Sequence, residues 1–322
     1  MNPRVSLVII NYGTPHLVVA LLGSLGRHAD AGLVLEAVIV DNGYRERGDC
    51  RGAVDPGRYP FPVRFVANQQ TSYASGVNRG AAVARGELIA VANTDLEWPA
   101  DSTIRFLLDA LDADPSVGAV GPQLVFPDGS WQRSVGRFPS LWEGWRAAFS
   151  LDLIHGAYAT WRHRRGPSVR YRQVDYLYGA FLIVRRECFD ALNGFDERFT
   201  FYGEDTDFCL RAARAGWKRL FVPSTRIIHV RGASSTAVES RAFSQKSLAA
   251  KRTFVRHHAG AWQAKCYALL QFVSAWELAA SYRVVAAVRR TQRWRQRAAE
   301  ARDGLAAVAA LGLKVEPLGP AA

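Results

Sequence analysis

Residues 5–10, VSLVII, followed by Asn11 and Tyr12, decide the fold. A short apolar run rich in Val and Ile that stops on polar-tipped residues reads as a first strand. The pattern recurs three times. Leu35 to Val40 ends on Asp41-Asn42-Gly43, Val63 to Val66 leads to Asn68-Gln69-Gln70, and Leu88 to Ala92 ends on Asn93-Thr94-Asp95. Helical patterns lie between these runs, so the chain up to about residue 125 predicts a parallel sheet with crossover helices. Open α/β sheets bind ligands at the carboxyl ends of their strands, near a topological switch point. Four polar clusters are therefore expected on one edge.

Composition bounds what else is possible. With 322 residues, 49% of them hydrophobic, the chain can bury a full core. A net charge of +12 and a pI near 9.9 favour an anionic partner: nucleic acid, a phosphate-bearing substrate or an acidic lipid surface. Cys50, Cys188, Cys209 and Cys266 lie far apart with no metal-site spacing, and are expected to be reduced thiols in a cytosolic protein. No secretory leader is expected at the N-terminus. Residues 268–288 are interrupted by Gln271, Glu277 and Arg283, so no transmembrane helix is expected.

Further along, Pro127 to about Arg172 carries Trp131, Trp142, Trp145 and Trp161 among many arginines, the character of a segment that folds over a site. Order returns with an apolar run at Phe181–Val184, a short helix from Glu187, then Gly194-Phe195-Asp196. A helix is expected from near Glu204 to Gly216, and a strand at Leu220–Val222 ended by Pro223. From about Ser244 the pattern is helical. It includes a basic cluster, Arg283, Arg289, Arg290, Arg293, Arg295 and Arg297, interleaved with Val285 and Trp294. That cluster suits either an anionic membrane surface or a solvated helix face. The stretch from Ala306 to Ala322 is expected to fray.

Several side chains can carry chemistry. Asp41, at a strand exit, can accept the imide N–H of uracil or thymine, or simply make a turn; Tyr12 can stack on the same base. Asp95 can hold a hard cation whose other ligands are diphosphate oxygens. The segment Phe201-Tyr202-Gly203-Glu204-Asp205-Thr206-Asp207 places three acids within four residues at a helix start. Capping and the positive helix end account for one of them. A general base on a rigid element would account for another. His229, after the next strand, is a metal ligand or a structural histidine.

Taken in order, VSLVIINY, VDNG, Asn68 with SYASGVNRG, VANTD, YGAFLIVRR, GFDERF, FYGEDTDFCLRAARAG and IIHVRG resemble the family 2 glycosyltransferases of the GT-A fold, and within them the bacterial rhamnosyltransferase branch. The resemblance runs from about residue 5 to about 235. It implies an α/β fold with a Rossmann-like, mostly parallel sheet and flanking helices, spanning 1–240, with a nucleotide-sugar half at 1–125 and an acceptor half at 126–240. A basic helical extension follows at 241–322.

Roles follow residue by residue. Asp41 would read the pyrimidine, with Asn11 and Tyr12 lining the base and ribose. Asn68, Asn78, Arg79, Asn93, Thr94 and Asp95 would contact the nucleotide sugar. Asp95 and His229 would hold Mg²⁺ or Mn²⁺, and Asp205 would be the catalytic base. Glu204, Tyr178, Gly179, Ala180 and Trp131 would face the acceptor.

The implied activity is inverting transfer of a sugar, L-rhamnose from dTDP-L-rhamnose, to a glycan or polyprenyl-diphosphate-linked acceptor in cell-envelope synthesis, at the inner face of the plasma membrane. A UDP-hexose or UDP-N-acetylhexosamine donor is the alternative, and a non-catalytic sugar-nucleotide scaffold the second. Nucleic acid is not an expected partner, because the acids at 204–207 would repel phosphate. The chain departs from the family pattern in Asn93 for the first acid of the metal motif, Ser72-Tyr73 for Gly-Phe, and Tyr44 for Ser.

Overall fold

The structure is a computed structural model and describes residues 4–44, 49–70, 72–99, 104–149, 171–199, 202–230 and 237–318. Trp161, Phe201, Arg231 and Gly232, and the side chain of Arg293, lie outside what is described. Two compact units are formed, one from residues 1–137, 169–234 and 321–322, the other from 138–168 and 235–320.

The first unit opens with strand β1 (Val5–Asn11), helix α1 (Pro15–Gly26), β2 (Val34–Asn42), β3 (Val63–Asn68), α2 (Tyr73–Val83) and β4 (Leu88–Asn93). The four expected strands are all present, each extended to the polar residue at its exit. Then come β5 (Leu96–Glu97), α3 (Arg105–Asp112), β6 (Val117–Val125) and β7 (Val135–Gly136). The second unit's α4 (Leu141–Ala148) interrupts before β8 (Arg172–Gln173), β9 (Tyr176–Leu177), β10 (Phe181–Arg185), α5 (Arg186–Ala191), α6 (Glu204–Arg214) and β11 (Lys218–His229).

Among the described residues a nine-stranded sheet runs β3-β2-β1-β4-β10-β6-β11-β5, with β8 paired to β11. β1 to β4 are parallel, as expected, and β6 pairs parallel with β11. The sheet is nevertheless mixed, because β10 inserts antiparallel between β4 and β6. β1 is buried along its whole length and apolar side chains fill both faces of the sheet, the pattern of strands covered on both sides. Helix α2 lies close on β1 and β2 because Gly80 has no side chain: a Cβ there would come within 2.3 Å of Val8 and 2.9 Å of Val40.

Two local expectations are corrected. β11 does not stop at Pro223. It continues to His229 past an irregularity between Val222 and Arg226, where the proline, lacking an N–H, drops out of the ladder. β6 has no counterpart among the expected strands, since Gly118, Gly121 and Pro122 break its apolar run. Those glycines are sites of close approach, Gly118 to Cys188 and Trp217 and Gly121 to Leu177.

The second unit holds α4, α7 (Ala237–Ala259), α8 (Ala261–Arg289) and α9 (Gln292–Leu311). α4, in the stretch expected to fold over a site, packs on α8: Tyr267 donates to Glu143 at 3.0 Å, Ser274 to the Ala147 carbonyl at 3.2 Å, and Gly144 lies under Tyr267. The C-terminal stretch is ordered further than expected. α9 buries Ala307 and Val308, and the buried Arg252 guanidinium donates to the carbonyls of Gly312 and Lys314 at 2.9 and 3.2 Å. No helix among the described residues is long and apolar enough to cross a membrane. The cysteines are free thiols, and burial pushes Cys188 and Cys209 up to about 12.

Candidate active site

The parallel register puts the strand exits side by side. Asn11 pairs with Asp41, Asp41 with Ala67, Asn42 with Asn68, and Ile10 with Asn93. The chain adds strands on one side of β1 as β2 and β3 and on the other as β4, so the switch point falls between β1 and β4. Asn11 and Asp41 are buried there, Asn11 Nδ2 donating to Asp41 Oδ1 at 2.7 Å, while Asp41 Oδ2 accepts the Cys50 N–H at 3.3 Å. Asn11 Oδ1 in turn accepts from the Thr14 N–H at 3.0 Å, and the Thr14 hydroxyl meets that of Thr94 at 3.2 Å. Asn68 Nδ2 donates to Asn42 Oδ1 and Ser75 Oγ at 2.9 and 3.0 Å. Tyr12 is exposed at this rim.

At the exit of β4 the chain turns through Asn93-Thr94-Asp95 into β5, which pairs Leu96 with His229. His229 Nε2 thereby lies 3.3 Å from Asp95 Oδ1. His229 Nδ1 faces the amide oxygen of buried Gln132 at 2.7 Å. That oxygen only accepts, so the bond assigns the proton to Nδ1 and leaves the Nε2 lone pair toward Asp95. A lone pair and a carboxylate oxygen at this distance repel unless a proton or a cation relieves them, and a carboxylate with one correctly oriented imidazole suits a divalent cation. Gln132 is held by its neighbours. Gln123 Nε2 donates to the Gln132 carbonyl at 2.7 Å and to Ser134 Oγ at 3.0 Å, and Gln123 Oε1 accepts the indole N–H of Trp131.

The third group sits on α6. The turn before it passes through Tyr202 at φ 67° and Gly203 at φ 97°. A left-handed backbone at an aromatic residue is uncommon, and it swings the first two acids of the helix into the site. Asp205 Oδ2 accepts the Gly179 N–H at 2.8 Å; Oδ1 accepts the Thr206 N–H and hydroxyl at 2.6 and 3.1 Å. Gly179 has to be small, since a Cβ would stand 3.2 Å from that of Asp205. Glu204 is buried and its Oε2 has no hydrogen-bond partner. Burial first, then the neighbouring Asp205 charge, pushes the Glu204 carboxyl well above the usual range. Burial also raises Asp205, against the hydrogen bonds from Gly179 and Thr206. Tyr73 donates to the Gly179 carbonyl at 2.9 Å. Burial, and then the charges of Glu204, Asp205 and Asp95, hold its phenol well above its ordinary value.

The third acid has another task. Asp207, fully buried, binds Arg211 at 2.7 Å one turn on, and that guanidinium also donates to the carbonyls of Leu192 and Gly194. It anchors α6 on the Gly-Phe-Asp turn. Asn78 serves the same turn: its amide oxygen accepts from Phe195 N at 2.8 Å and its Nδ2 donates to the Phe195 carbonyl and Glu197, both at 2.8 Å. Arg79 is exposed. Ala180 accepts from Asn93 N at 2.9 Å and Tyr178 N donates to Ser134 at 3.1 Å, which ties the 178–180 turn to both sides of the site. Trp131 is half exposed at the edge.

Gln132 and Tyr73 are the residues that sequence reasoning misses. Tyr73 has a signal, as the departure from a family phenylalanine. Gln132 has none, since its partner lies 97 positions away.

A family model described as glycosyltransferase-like family 2 matches residues 3–246. An N-acetylglucosaminyl-diphospho-decaprenol L-rhamnosyltransferase of Mycobacterium tuberculosis is 32% identical over 234 residues, covering 66% of this chain and 75% of that protein. Among solved structures, the mannosyltransferase PcManGT from Pyrobaculum calidifontis, in complex with GDP-Man and Mn²⁺, matches with a TM-score of 0.56 at 16% identity over 97% of this chain and 88% of that one. GalNAc-T7 with UDP, GalNAc and Mn²⁺ matches with a TM-score of 0.57 at 15% identity, over 85% of this chain and 51% of that one. At these identities the structural likeness establishes the fold alone.

Proposed function

The chain belongs to the family 2 glycosyltransferases, with the GT-A fold, and we propose that it moves L-rhamnose from dTDP-L-rhamnose to a hydroxyl of a lipid-linked glycan, inverting the anomeric carbon in one displacement. The observation that supports this is a part-buried carboxylate, Asp205, held by donors from Gly179 and Thr206, together with Asp95 and His229 lying 3.3 Å apart at the strand exits. The sugar and the lipid-linked acceptor follow the name of the mycobacterial relative; dTDP as its carrier follows from the resemblance to the rhamnosyltransferase branch.

Asp205 is the base, and its two oxygens are not equivalent. Oδ1 already accepts two hydrogen bonds and Oδ2 one, so Oδ2 has the free lone pair for the acceptor O–H. Burial makes it a stronger base than a surface aspartate. As the proton passes to Oδ2, the acceptor oxygen bonds to C1, the bond from C1 to the diphosphate oxygen breaks, and the nucleoside diphosphate leaves with that electron pair. Glu204, with an unpartnered oxygen beside the base, orients the acceptor. Asp95 and His229 are the residues that would hold Mn²⁺ or Mg²⁺, which when bound supplies positive charge against the leaving diphosphate. Asp41 accepts the imide N–H of the pyrimidine, with Tyr12 stacked on the base and Asn11 and Asn68 fixing the strand exits.

The test is nucleotide release from dTDP- and UDP-sugars, with Mn²⁺ or Mg²⁺ and a lipid-linked acceptor, by the native chain and Asp205→Asn. Metal-dependent release from dTDP-L-rhamnose, reduced by on the order of 10²–10⁴-fold in the variant while donor binding persists, is expected. Release from a UDP-sugar alone would replace the donor. Release untouched by the substitution would remove Asp205 from the reaction.

A further inference from the structure

Helix α8 is apolar on two opposite sides. One side packs inside the helical unit through Ala264, Tyr267 and Ala268, all buried. The other carries Trp262, Leu269, Val273, Trp276, Val284 and Val288, which are 37% to 75% exposed. At 100° per residue these six fall within an arc of roughly 120°, and at 1.5 Å per residue they extend along roughly 39 Å of helix. By the same periodicity Lys265 and Arg283 lie together on one flank of that arc, and half-buried Glu277 falls within it. Scattered surface leucines need no explanation, but an apolar row of this length, broken by one acid, does.

The chemistry of the stripe selects its partner. Two tryptophans among aliphatic side chains, with the single acid Glu277 in the row and long cations beside it, match the boundary between lipid headgroups and acyl chains, where indole rings settle and Lys and Arg reach phosphate. From Ala261 to Leu311 there are eight Lys and Arg against three acids. Two copies meeting through this face would bring like charges together, whereas an anionic leaflet complements both the apolar row and its flank. The helix is not apolar enough to span the bilayer, so it would lie in the surface plane. We propose that this face of α8 seats the protein on a leaflet containing anionic phospholipid, with the six apolar side chains at the acyl boundary and Lys265 and Arg283 at the phosphates. The proposal depends on neither the donor nor the transfer chemistry.

The experiment is co-sedimentation of the full chain with vesicles of phosphatidylcholine, with and without phosphatidylglycerol. Binding is expected to need phosphatidylglycerol. It should fall on the order of tenfold in Trp262→Ala/Trp276→Ala and further in Leu269→Asp/Val273→Asp/Trp276→Ala. Circular dichroism and nucleotide-sugar turnover of the variants check folding, and both are expected to persist because the altered side chains are exposed. Vesicle binding that the stripe variants leave intact, or that responds to salt alone, overturns the proposal. So does a dimer in light scattering that the same variants dissociate, which would assign the face to a second copy.

Discussion

Gln132 holds His229 in one tautomer at 2.7 Å, and its own carbonyl and neighbours are fixed by Gln123. If His229 holds the cation as proposed, such a partner to its other ring nitrogen fixes the ring and contributes to metal affinity. Gln132→Leu is therefore expected to raise the Mn²⁺ concentration needed for half-saturation by roughly 10–100-fold in a calorimetric titration with nucleoside diphosphate present. Gln132→Glu keeps an acceptor facing Nδ1 and is expected to restore most of that affinity. Equal loss in both variants would assign Gln132 a packing role only. Tyr73 works on the other side of the site. By donating to the Gly179 carbonyl while Gly179 N–H donates to Asp205, it helps to fix Gly179, against which Asp205, the proposed base, rests. A phenylalanine at that position keeps the packing and gives up this bond, so Ser72-Tyr73 replaces backbone freedom with a hydrogen bond.

At the scale of elements, the sheet depends on helix α2 lying close on β1 and β2. Gly80→Ala would drive a methyl group into Val8 and Val40, and is expected to destabilise the protein by about 1–3 kcal/mol, measured as a lower midpoint in urea. An unchanged midpoint would mean that α2 can lift without cost. The elements differ in how openly the sequence declares them. β1, β2 and β4 are legible because buried parallel strands leave mainly apolar runs that end on polar residues, and the half-buried edge strand β3 through its short Val-Phe-Val pattern before Asn68. β6 is not, because its glycines answer to Cys188, Trp217 and Leu177, distant neighbours that no local pattern reveals. The far half of β11 is hidden by Pro223 for a related reason: a proline ends a strand in isolation, but β6 and β5 hold this one in register beyond it. The site divides along the same line. Asp95, Asp205 and His229 stand out as chemistry-bearing residues at element ends. The division of labour between Asp205, Glu204 and Asp207 does not, since it is decided by Gly179 and Arg211.

Across the whole molecule, the helical unit is assembled from two separated stretches of chain, 138–168 and 235–320. Cutting the chain after residue 240 leaves α4 without the face of α8 that covers Glu143, Gly144 and Ala147. That truncated protein is expected to self-associate in size-exclusion chromatography, and a monodisperse product of native helicity would contradict this. The sheet is interleaved too, with β10 supplying the ladder that closes the edge of β4 and holds β6. Synthesis proceeds at about 5–20 residues per second, so roughly 5 to 20 seconds separate the emergence of β4 from that of β10. Throughout that interval the nascent chain presents an open apolar strand edge. The sheet therefore cannot mature in the order in which it is translated, and until β10 emerges the edge of β4 is open to pairing with other chains.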